Sequence, residues 1–203
     1  GAWNTLAEER KDAPAGHGKR TVGRQITLEP LQSEQSTATL LRMQSNISEF
    51  DRVAGGGLVP GSATLIGGDP GIGKSTLLLQ LTCNLSKRGF RAAYISGEES
   101  ADQVRMRANR LGLANAVVEL GTATNATDIA ASMTGPYRPD IVVIDSIQTI
   151  FLPSLDSAPG TVSQVRASAQ ELIRAAKNNR IALLIVGHVT KDGAIAGPRV
   201  LEH

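Results

Sequence analysis

One cysteine, few aromatic side chains and no long apolar run characterise this sequence of 203 residues. The single Cys83 excludes an internal disulfide framework and a cysteine-rich zinc site, and its apolar helical context predicts that it is buried. Aromatic residues make up only 3% of the chain, so aliphatic side chains must dominate the core. No apolar run is long enough to span a bilayer and no secretory signal is found, so we expect a cytoplasmic protein without a membrane partner.

Two regions differ in composition. Residues 1–39 are polar and interrupted by proline and glycine, which predicts a flexible linker or tail, whereas residues 40–203 have the regular pattern of one compact domain. The predicted strands are 63–67, 91–96, 140–145 and 181–187, and the predicted helices are 75–88, 101–111, 127–133 and 162–179. Apolar strands that alternate with amphipathic helices predict an α/β fold, a mainly parallel sheet with helices on both faces.

The strongest motif is a glycine-rich turn between the first predicted strand and the first predicted helix. Its residues match the P-loop pattern and are Gly68, Asp69, Pro70, Gly71, Ile72, Gly73, Lys74 and Ser75. Glycines let the backbone wrap around phosphates, and a helix N-terminus favours negative charge. The motif predicts ATP or ADP with Mg²⁺, with Lys74 on the β- and γ-phosphates, Ser75 on Mg²⁺ and Thr76 on the α-phosphate. The alternative is a glycine-rich turn with an incidental lysine.

Three further polar positions follow predicted strands. Asp145 ends a buried strand, where a carboxylate can hold a Mg²⁺-bound water or Ser75, although it can also be a helix cap or a surface residue. Glu98 follows the predicted strand 91–96 and is our candidate for orienting or deprotonating water, with Glu99 as a salt-bridging neighbour; both can instead simply favour a helix N-terminus. His188 can sense a γ-phosphate or be merely structural.

Several separate segments together resemble a known family. Residues 46–61 look like the opening of RecA-superfamily ATPase cores, and the segments 96–100, 145–149, 157–166, 187–191 and 198–203 look like the RadA/Sms family. The resemblance covers about residues 40–203, with the motifs in the right order, and residues 3–5 resemble the join after the family's zinc finger.

The resemblance implies a RecA-like P-loop NTPase that acts as a DNA-dependent motor in homologous recombination and repair. Members are expected to form homo-hexameric rings, to bind single-stranded and branched DNA, to work with the recombinase machinery and to promote branch migration. The resemblance also assigns Glu98 as the water-activating residue and His188 as a phosphate sensor, and it places Asp102 and Arg105 near the adenine. The zinc finger's four cysteines, the Lys-Asn-Arg-Phe-Gly motif and a Lon-protease-like domain are missing, so we interpret the chain as an ATPase-core fragment.

Two other function classes stay open on the residues alone. A P-loop kinase would need an acceptor pocket and an arginine-rich lid, but the arginines at 105, 107 and 110 follow a helical spacing and are interpreted as a surface face. A regulatory nucleotide-binding module would turn over little ATP, and intact Lys74, Glu98 and Asp145 argue against that. Phosphate release with and without single-stranded DNA, set against a search for a phosphorylated acceptor, separates these classes.

Two loops are the candidate DNA contacts. The net charge of +2 neither demands nor excludes a nucleic-acid partner, because a local basic patch can lie within a balanced total. In a RecA-like ring the loops 152–164 and 187–197 would face the channel, where Arg166, Lys191 and Arg199 meet phosphates. We expect both loops to be poorly ordered without DNA; the alternative is ordinary mobile surface loops.

Overall fold

The described residues form one parallel sheet with helices around it. The computed structural model describes residues 28, 42–136 and 138–188, and every contact below lies within the unit Thr39–His203. The strands are β1 (Ala63–Gly68), β2 (Ala92–Ser96), β3 (Val118–Thr122), β4 (Ile141–Asp145) and β5 (Ala182–His188). The helices are α1 (Ser48–Val53), α2 (Lys74–Lys87), α3 (Ala101–Arg110), α4 (Ala126–Ser132) and α5 (Val162–Asn178), and a 3₁₀ turn covers Ile147–Thr149.

The strand order brings the polar strand ends together. The order across the sheet is β1-β5-β4-β2-β3, and each neighbouring pair is parallel. Parallel strands that follow one another in the chain need a crossover, and helices supply it here. Because all five strands run the same way, their carboxyl ends meet at one edge of the sheet.

The core lies on both faces of the sheet. All five residues of β4 are buried, and they alternate between the two sides: Val142 and Ile144 pack with α4 and α5, while Ile141 and Val143 pack with α2 and α3. Strand side chains point alternately to opposite faces, so an uninterrupted apolar strand can contribute to two packed layers. The predicted fold, an α/β sheet with helices on both faces, is therefore confirmed, and Cys83 is buried as predicted.

One strand, β3, and one helix, α1, were not predicted from the sequence. Strand β3 is half exposed and carries Glu119 and Gly121, so it lacks the continuous apolar run that predicted the other strands. Helix α1 has six residues, none of them buried, and no side-chain bond caps its N-terminus. Neither element leaves a strong periodic pattern in the sequence, whereas α5 does, because its buried positions form one stripe along 17 residues.

The loop after β4 has a definite structure that we did not expect. Gln164, buried at the start of α5, donates from Nε2 to the carbonyls of Leu152, Leu155 and Ser157 at 3.3, 3.1 and 2.8 Å. Its Oε1 accepts from the Leu152 N–H at 2.8 Å. One amide side chain thus forms hydrogen bonds with backbone groups of the loop, which lie outside any strand or helix. These bonds order the loop, contrary to the disorder that we predicted for 152–164. Nearly all of the second loop, 187–197, lies outside the described residues.

No helix among the described parts of the chain is long and apolar enough to cross a membrane.

Candidate active site

The site lies at the edge where the strands end. Gly68, the last residue of β1, is in register with His188 of β5, and Ser96 of β2 is in register with Asp145 of β4. The glycine-rich turn follows β1, and Glu98 follows β2 after one more residue. The strand order therefore brings together four predicted positions that are far apart in sequence.

The turn from β1 to α2 has the backbone that a phosphate site requires. We call residues 68–76 the phosphate loop. Gly71 and Gly73 have φ values of 82° and 98°, in the left-handed region that favours glycine. A Cβ added to either would meet nothing within 4 Å, so the space beside the loop is open, while Gly73 also begins the helix as its N-cap. Open space beside a helix N-terminus is suited to an anion.

Lys74 is buried and directed back to its own loop. Its Nζ donates to the carbonyl oxygens of Gly68 at 2.6 Å and Asp69 at 2.7 Å. Only 7% of the residue is exposed. A buried ammonium needs such acceptors, because an unpaired charge away from water is costly. Phosphate oxygens are stronger acceptors than these carbonyls, so the lysine can exchange one set for the other.

A second group of side chains surrounds Glu98. The Ser146 hydroxyl donates to Glu98 Oε1, and His188 Nε2 lies 3.2 Å from the same oxygen. Glu98, Ser146 and His188, which we call the carboxylate cluster, come from the ends of three neighbouring strands, β2, β4 and β5. The backbone before Glu98 is shaped by buried Ser96, whose Oγ accepts from the N–H groups of Glu98 and Glu99 at 3.3 and 2.8 Å.

The cluster favours the ionised form of Glu98. Burial alone would raise the pKa of Glu98, but the hydrogen bonds from Ser146 and His188 outweigh it, with help from the electrostatic attraction of His188 and Lys74. The pKa of Glu98 therefore lies below the usual glutamate value. A carboxylate held in this way accepts hydrogen bonds at neutral pH, which is what orienting a water molecule requires.

Asp145 has a separate partner. It is 5% exposed, and its Oδ2 accepts a hydrogen bond from the hydroxyl of the fully buried Tyr94. The same hydroxyl lies 3.5 Å from the carbonyl oxygen of Ser75. Burial and the neighbouring Asp145 charge raise the pKa of Tyr94 above its usual range, so the phenol keeps its proton and stays a donor. The Tyr94 hydroxyl thus lies near the backbone of Ser75 as well as at the carboxylate of Asp145, the two residues predicted to hold Mg²⁺.

The arginines on α3 do not form one surface face. Arg107 forms an ion pair with Glu99, and only 15% of its side chain is exposed, so its interpretation as a surface residue was wrong. The contact makes Glu99 a salt-bridging residue, as predicted. Arg105 does face solvent, 61% exposed, and pairs with Asp102 at 2.7 Å.

The residues proposed for DNA contact are only partly described. Arg166 is exposed on α5. Lys191 and Arg199 lie outside the described residues, and so their placement relative to the site stays a prediction.

Tyr94, Ser96 and Ser146 were missed by sequence reasoning. Tyr94 and Ser96 are two apart on β2 and so share a face of the sheet, and Ser146 follows Asp145 directly. That adjacency was a usable signal for Ser146. The sequence also contains a helix-start pattern, Ser-x-x-Gln, at Ser100 and Gln103. These residues form a capping box at the start of α3, and this fixes where the segment that carries Glu98 ends.

Comparison with known proteins places the chain in a family. A family model described as AAA domain matches residues 29–194. DNA repair protein RadA of Brucella abortus (strain 2308) is 55% identical over 212 residues, which cover all of this chain and 45% of that relative. DNA repair protein RadA of Pseudomonas aeruginosa is 53% identical and that of Bacillus subtilis (strain 168) is 46% identical, again over the whole chain and 45% of each relative.

The chain therefore spans less than half the length of the curated relatives it matches. The resemblance inferred from the separate motifs is confirmed along the whole chain. The chain belongs to the AAA domain family, and its relatives are the bacterial proteins named DNA repair protein RadA.

Proposed function

We propose that this chain is the ATP-hydrolysing part of a DNA-dependent motor in homologous recombination and repair that promotes branch migration. The observation that carries the proposal is the position of buried Lys74 in an open phosphate loop at the same sheet edge as the ionised Glu98. A loop that binds phosphate and a carboxylate that orients water are two of the parts that ATP hydrolysis requires.

The phosphate loop supplies binding. Its backbone, including Asp69, Pro70 and Ile72, would surround the β- and γ-phosphates, and Lys74 would leave the carbonyls of Gly68 and Asp69 for phosphate oxygens. Thr76 follows in the first turn of α2, where it would hold the α-phosphate.

The residues present also fit Mg²⁺. The Ser75 hydroxyl and the Asp145 carboxylate would hold it, and both are oxygen donors of the kind that this hard cation prefers. Mg²⁺, when bound, neutralises charge on the phosphates. Asp145 is buried and already ordered by Tyr94, so it needs little rearrangement to serve.

The carboxylate cluster supplies hydrolysis. Glu98 orients the attacking water and accepts its proton, while Ser146 holds the carboxylate at one angle. His188 contacts Glu98 and ends the strand next to β1. In our proposal it exchanges Glu98 for a γ-phosphate and passes that change to the following loop.

The remaining contacts are proposed from the resemblance. Asp102 and Arg105, exposed on α3, would approach the adenine. Single-stranded or branched DNA would meet Arg166, Lys191 and Arg199 in the channel of a homo-hexamer that works with the recombinase machinery. A monomer should bind DNA weakly, because only a ring collects enough phosphate contacts.

ATP turnover tests the proposal directly. We expect the parent chain to bind Mg²⁺–ADP in a calorimetric titration and to release phosphate from ATP, with more release when single-stranded DNA is added to the full-length protein. Phosphate that appears on an added acceptor rather than in solution would instead support a kinase. ATP binding without release in the full-length protein, with DNA present, would support a regulatory module.

The DNA path is tested in the full-length, ring-forming protein. Replacing Arg166 and Lys191 with alanine should weaken single-stranded DNA binding and flatten its dependence on salt by about one unit of slope per lost phosphate contact. Arg174→Ala, an exposed change on the same helix, is the matched control. An unchanged affinity and slope would place the DNA elsewhere, and a branched DNA substrate that is not migrated would contradict the motor function.

A further inference from the structure

We propose that Tyr94 is a positioning residue for the metal–phosphate site: its hydroxyl fixes Asp145 beside the first turn of α2 and thereby sets the affinity for Mg²⁺. The inference rests on the proposed ATPase function, since Tyr94 would act through Asp145, a residue that the proposed function assigns to Mg²⁺.

The position of Tyr94 on the sheet makes this contact possible. Tyr94 is in register with Val143 on β4, two residues before the pair of Ser96 and Asp145. A tyrosine side chain is long enough to reach along the sheet toward the carboxyl ends of the strands. The hydroxyl of Tyr94 therefore reaches Asp145, although the Tyr94 backbone is in register with Val143. There it donates to Asp145 Oδ2 and lies 3.5 Å from the Ser75 carbonyl.

The phenol has a single proton, so it can donate a full hydrogen bond to only one of these two acceptors. The carboxylate oxygen is charged and closer, whereas the Ser75 carbonyl lies at the limit of hydrogen-bond distance. Tyr94 is therefore a donor to Asp145 first, and its oxygen also packs against the backbone of the phosphate loop. The Tyr94 hydroxyl therefore lies between the Asp145 carboxylate, at the end of β4, and the Ser75 backbone, at the start of α2.

The ring cannot move away from this position easily. Tyr94 has 0% exposure and belongs to the apolar cluster on the α2 and α3 side of the sheet, with neighbours such as Leu78, Val104 and Val143. Its hydroxyl occupies one of the two oxygens of Asp145, so it limits the rotation of the carboxylate. Residues that orient a metal ligand in this way typically contribute 10–100-fold to metal affinity or activity.

A simpler explanation is that Tyr94 is a core tyrosine whose hydroxyl needs a partner. Under that explanation, removal of the hydroxyl lowers stability but changes nucleotide binding equally with and without Mg²⁺. Under ours, the loss falls on Mg²⁺ binding, because Asp145 is no longer held at the angle the cation uses.

The experiment compares Tyr94→Phe with the parent chain. ADP affinity is measured by calorimetry in EDTA and at rising Mg²⁺, and the Mg²⁺ concentration at half-saturation is taken from the series. We expect ADP affinity in EDTA to stay within about twofold and the half-saturating Mg²⁺ concentration to rise about tenfold or more.

Thr82→Val is the matched control. It removes another buried hydroxyl, on α2, that bonds to the Leu78 carbonyl at 2.6 Å and lies outside the phosphate loop. This control should lower thermal stability without changing the Mg²⁺ dependence. An unchanged Mg²⁺ dependence in Tyr94→Phe, or an equal loss with and without Mg²⁺, overturns the inference.

A second measurement covers the case in which Tyr94→Phe does not fold. The chain has two tyrosines, Tyr94 and Tyr137, so biosynthetic 3-fluorotyrosine in a Tyr137→Phe background gives one ¹⁹F signal. That signal should shift when Mg²⁺ is added to the ADP complex, beyond the shift from ADP alone. A signal that does not respond to Mg²⁺ overturns the inference. A parent chain that binds no ADP at all would instead defeat the proposed function.

Discussion

The phosphate loop and the carboxylate cluster lie at one sheet edge but are built in different ways. The loop is a contiguous segment whose shape comes from backbone angles at Gly71 and Gly73, and its space is open. The cluster consists of side chains from three strands that already bond to one another. The difference implies that nucleotide binding and hydrolysis are separable: one depends on a local turn, the other on strand order.

The largest effect should come from the loop. Lys74→Ala removes the charge that we propose meets the phosphates, so nucleotide affinity and turnover should fall together, by more than about 10²-fold in kcat/KM. Calorimetry with Mg²⁺–ADP and phosphate release measure the two losses. Lys87→Ala, an exposed lysine at the other end of α2, is the control and should match the parent. Hydrolysis at the parent rate by Lys74→Ala would mean that the site is misassigned.

The next effect should separate the two regions. Glu98→Gln keeps the shape of the side chain but removes the charge that we propose accepts the proton of water, so turnover should fall about 10²–10⁴-fold while ADP affinity stays within a few-fold. The neighbouring Glu99→Gln breaks the pair with Arg107 and should lower the melting temperature more than the rate. The comparison fails if Glu98→Gln loses binding, or if its rate stays within a few-fold of a parent that turns over.

A smaller change should appear as a shift in pH dependence. Ser146→Ala removes a hydrogen bond that favours ionised Glu98, so the pKa of Glu98 should rise and the acid limb of the pH–rate profile should move upward. In the parent, the lowered pKa contributes stability above the unfolded-state pKa, and this is lost as pH falls through the folded-state value. The neutral-pH rate should fall about tenfold, the equivalent of one hydrogen bond to a charged group.

Buried Ser168→Ala, on α5, is the control for Ser146→Ala, because its hydroxyl bonds only weakly to the Ile150 carbonyl at 3.4 Å. An acid limb that does not move in Ser146→Ala would show that the serine does not hold the carboxylate.

The smallest effect should lie outside both regions. Gln164→Ala removes the amide that holds the loop after β4, but the bonds are only part-buried and most residues of the loop are exposed, so water can replace the lost donor. We expect a loss of about 1 kcal/mol in the free energy of unfolding and faster hydrogen exchange at the Leu152 amide. Nucleotide affinity should not change. A loss several times larger would mean that the loop supports the sheet edge itself.

Local patterns carried most of what the sequence could predict. The apolar run of β4 and the stripe of α5 set the main elements, and the phosphate loop was evident because its residues are contiguous. The position of Ser146 beside Asp145 was a usable signal, but the partners of Tyr94 and Ser146 were not predictable, since both contacts depend on β2 pairing with β4. Burial of Arg107 was missed for a related reason: helical spacing shows which residues share a face, but not which acidic partner packs onto it.

The residue before Glu98 has a consequence of its own. A Cβ on Gly97 would overlap the hydroxyl of Thr149, so the backbone just before Glu98 packs directly against the Thr149 side chain of the 3₁₀ turn that follows Asp145. Hard-sphere repulsion does not weaken with salt or titrate with pH, unlike an ion pair. A shift of one segment would therefore displace the other under conditions that break electrostatic links. Gly97→Ala and Thr149→Ala should accordingly be non-additive in a double-mutant cycle, with the second change relieving part of the first.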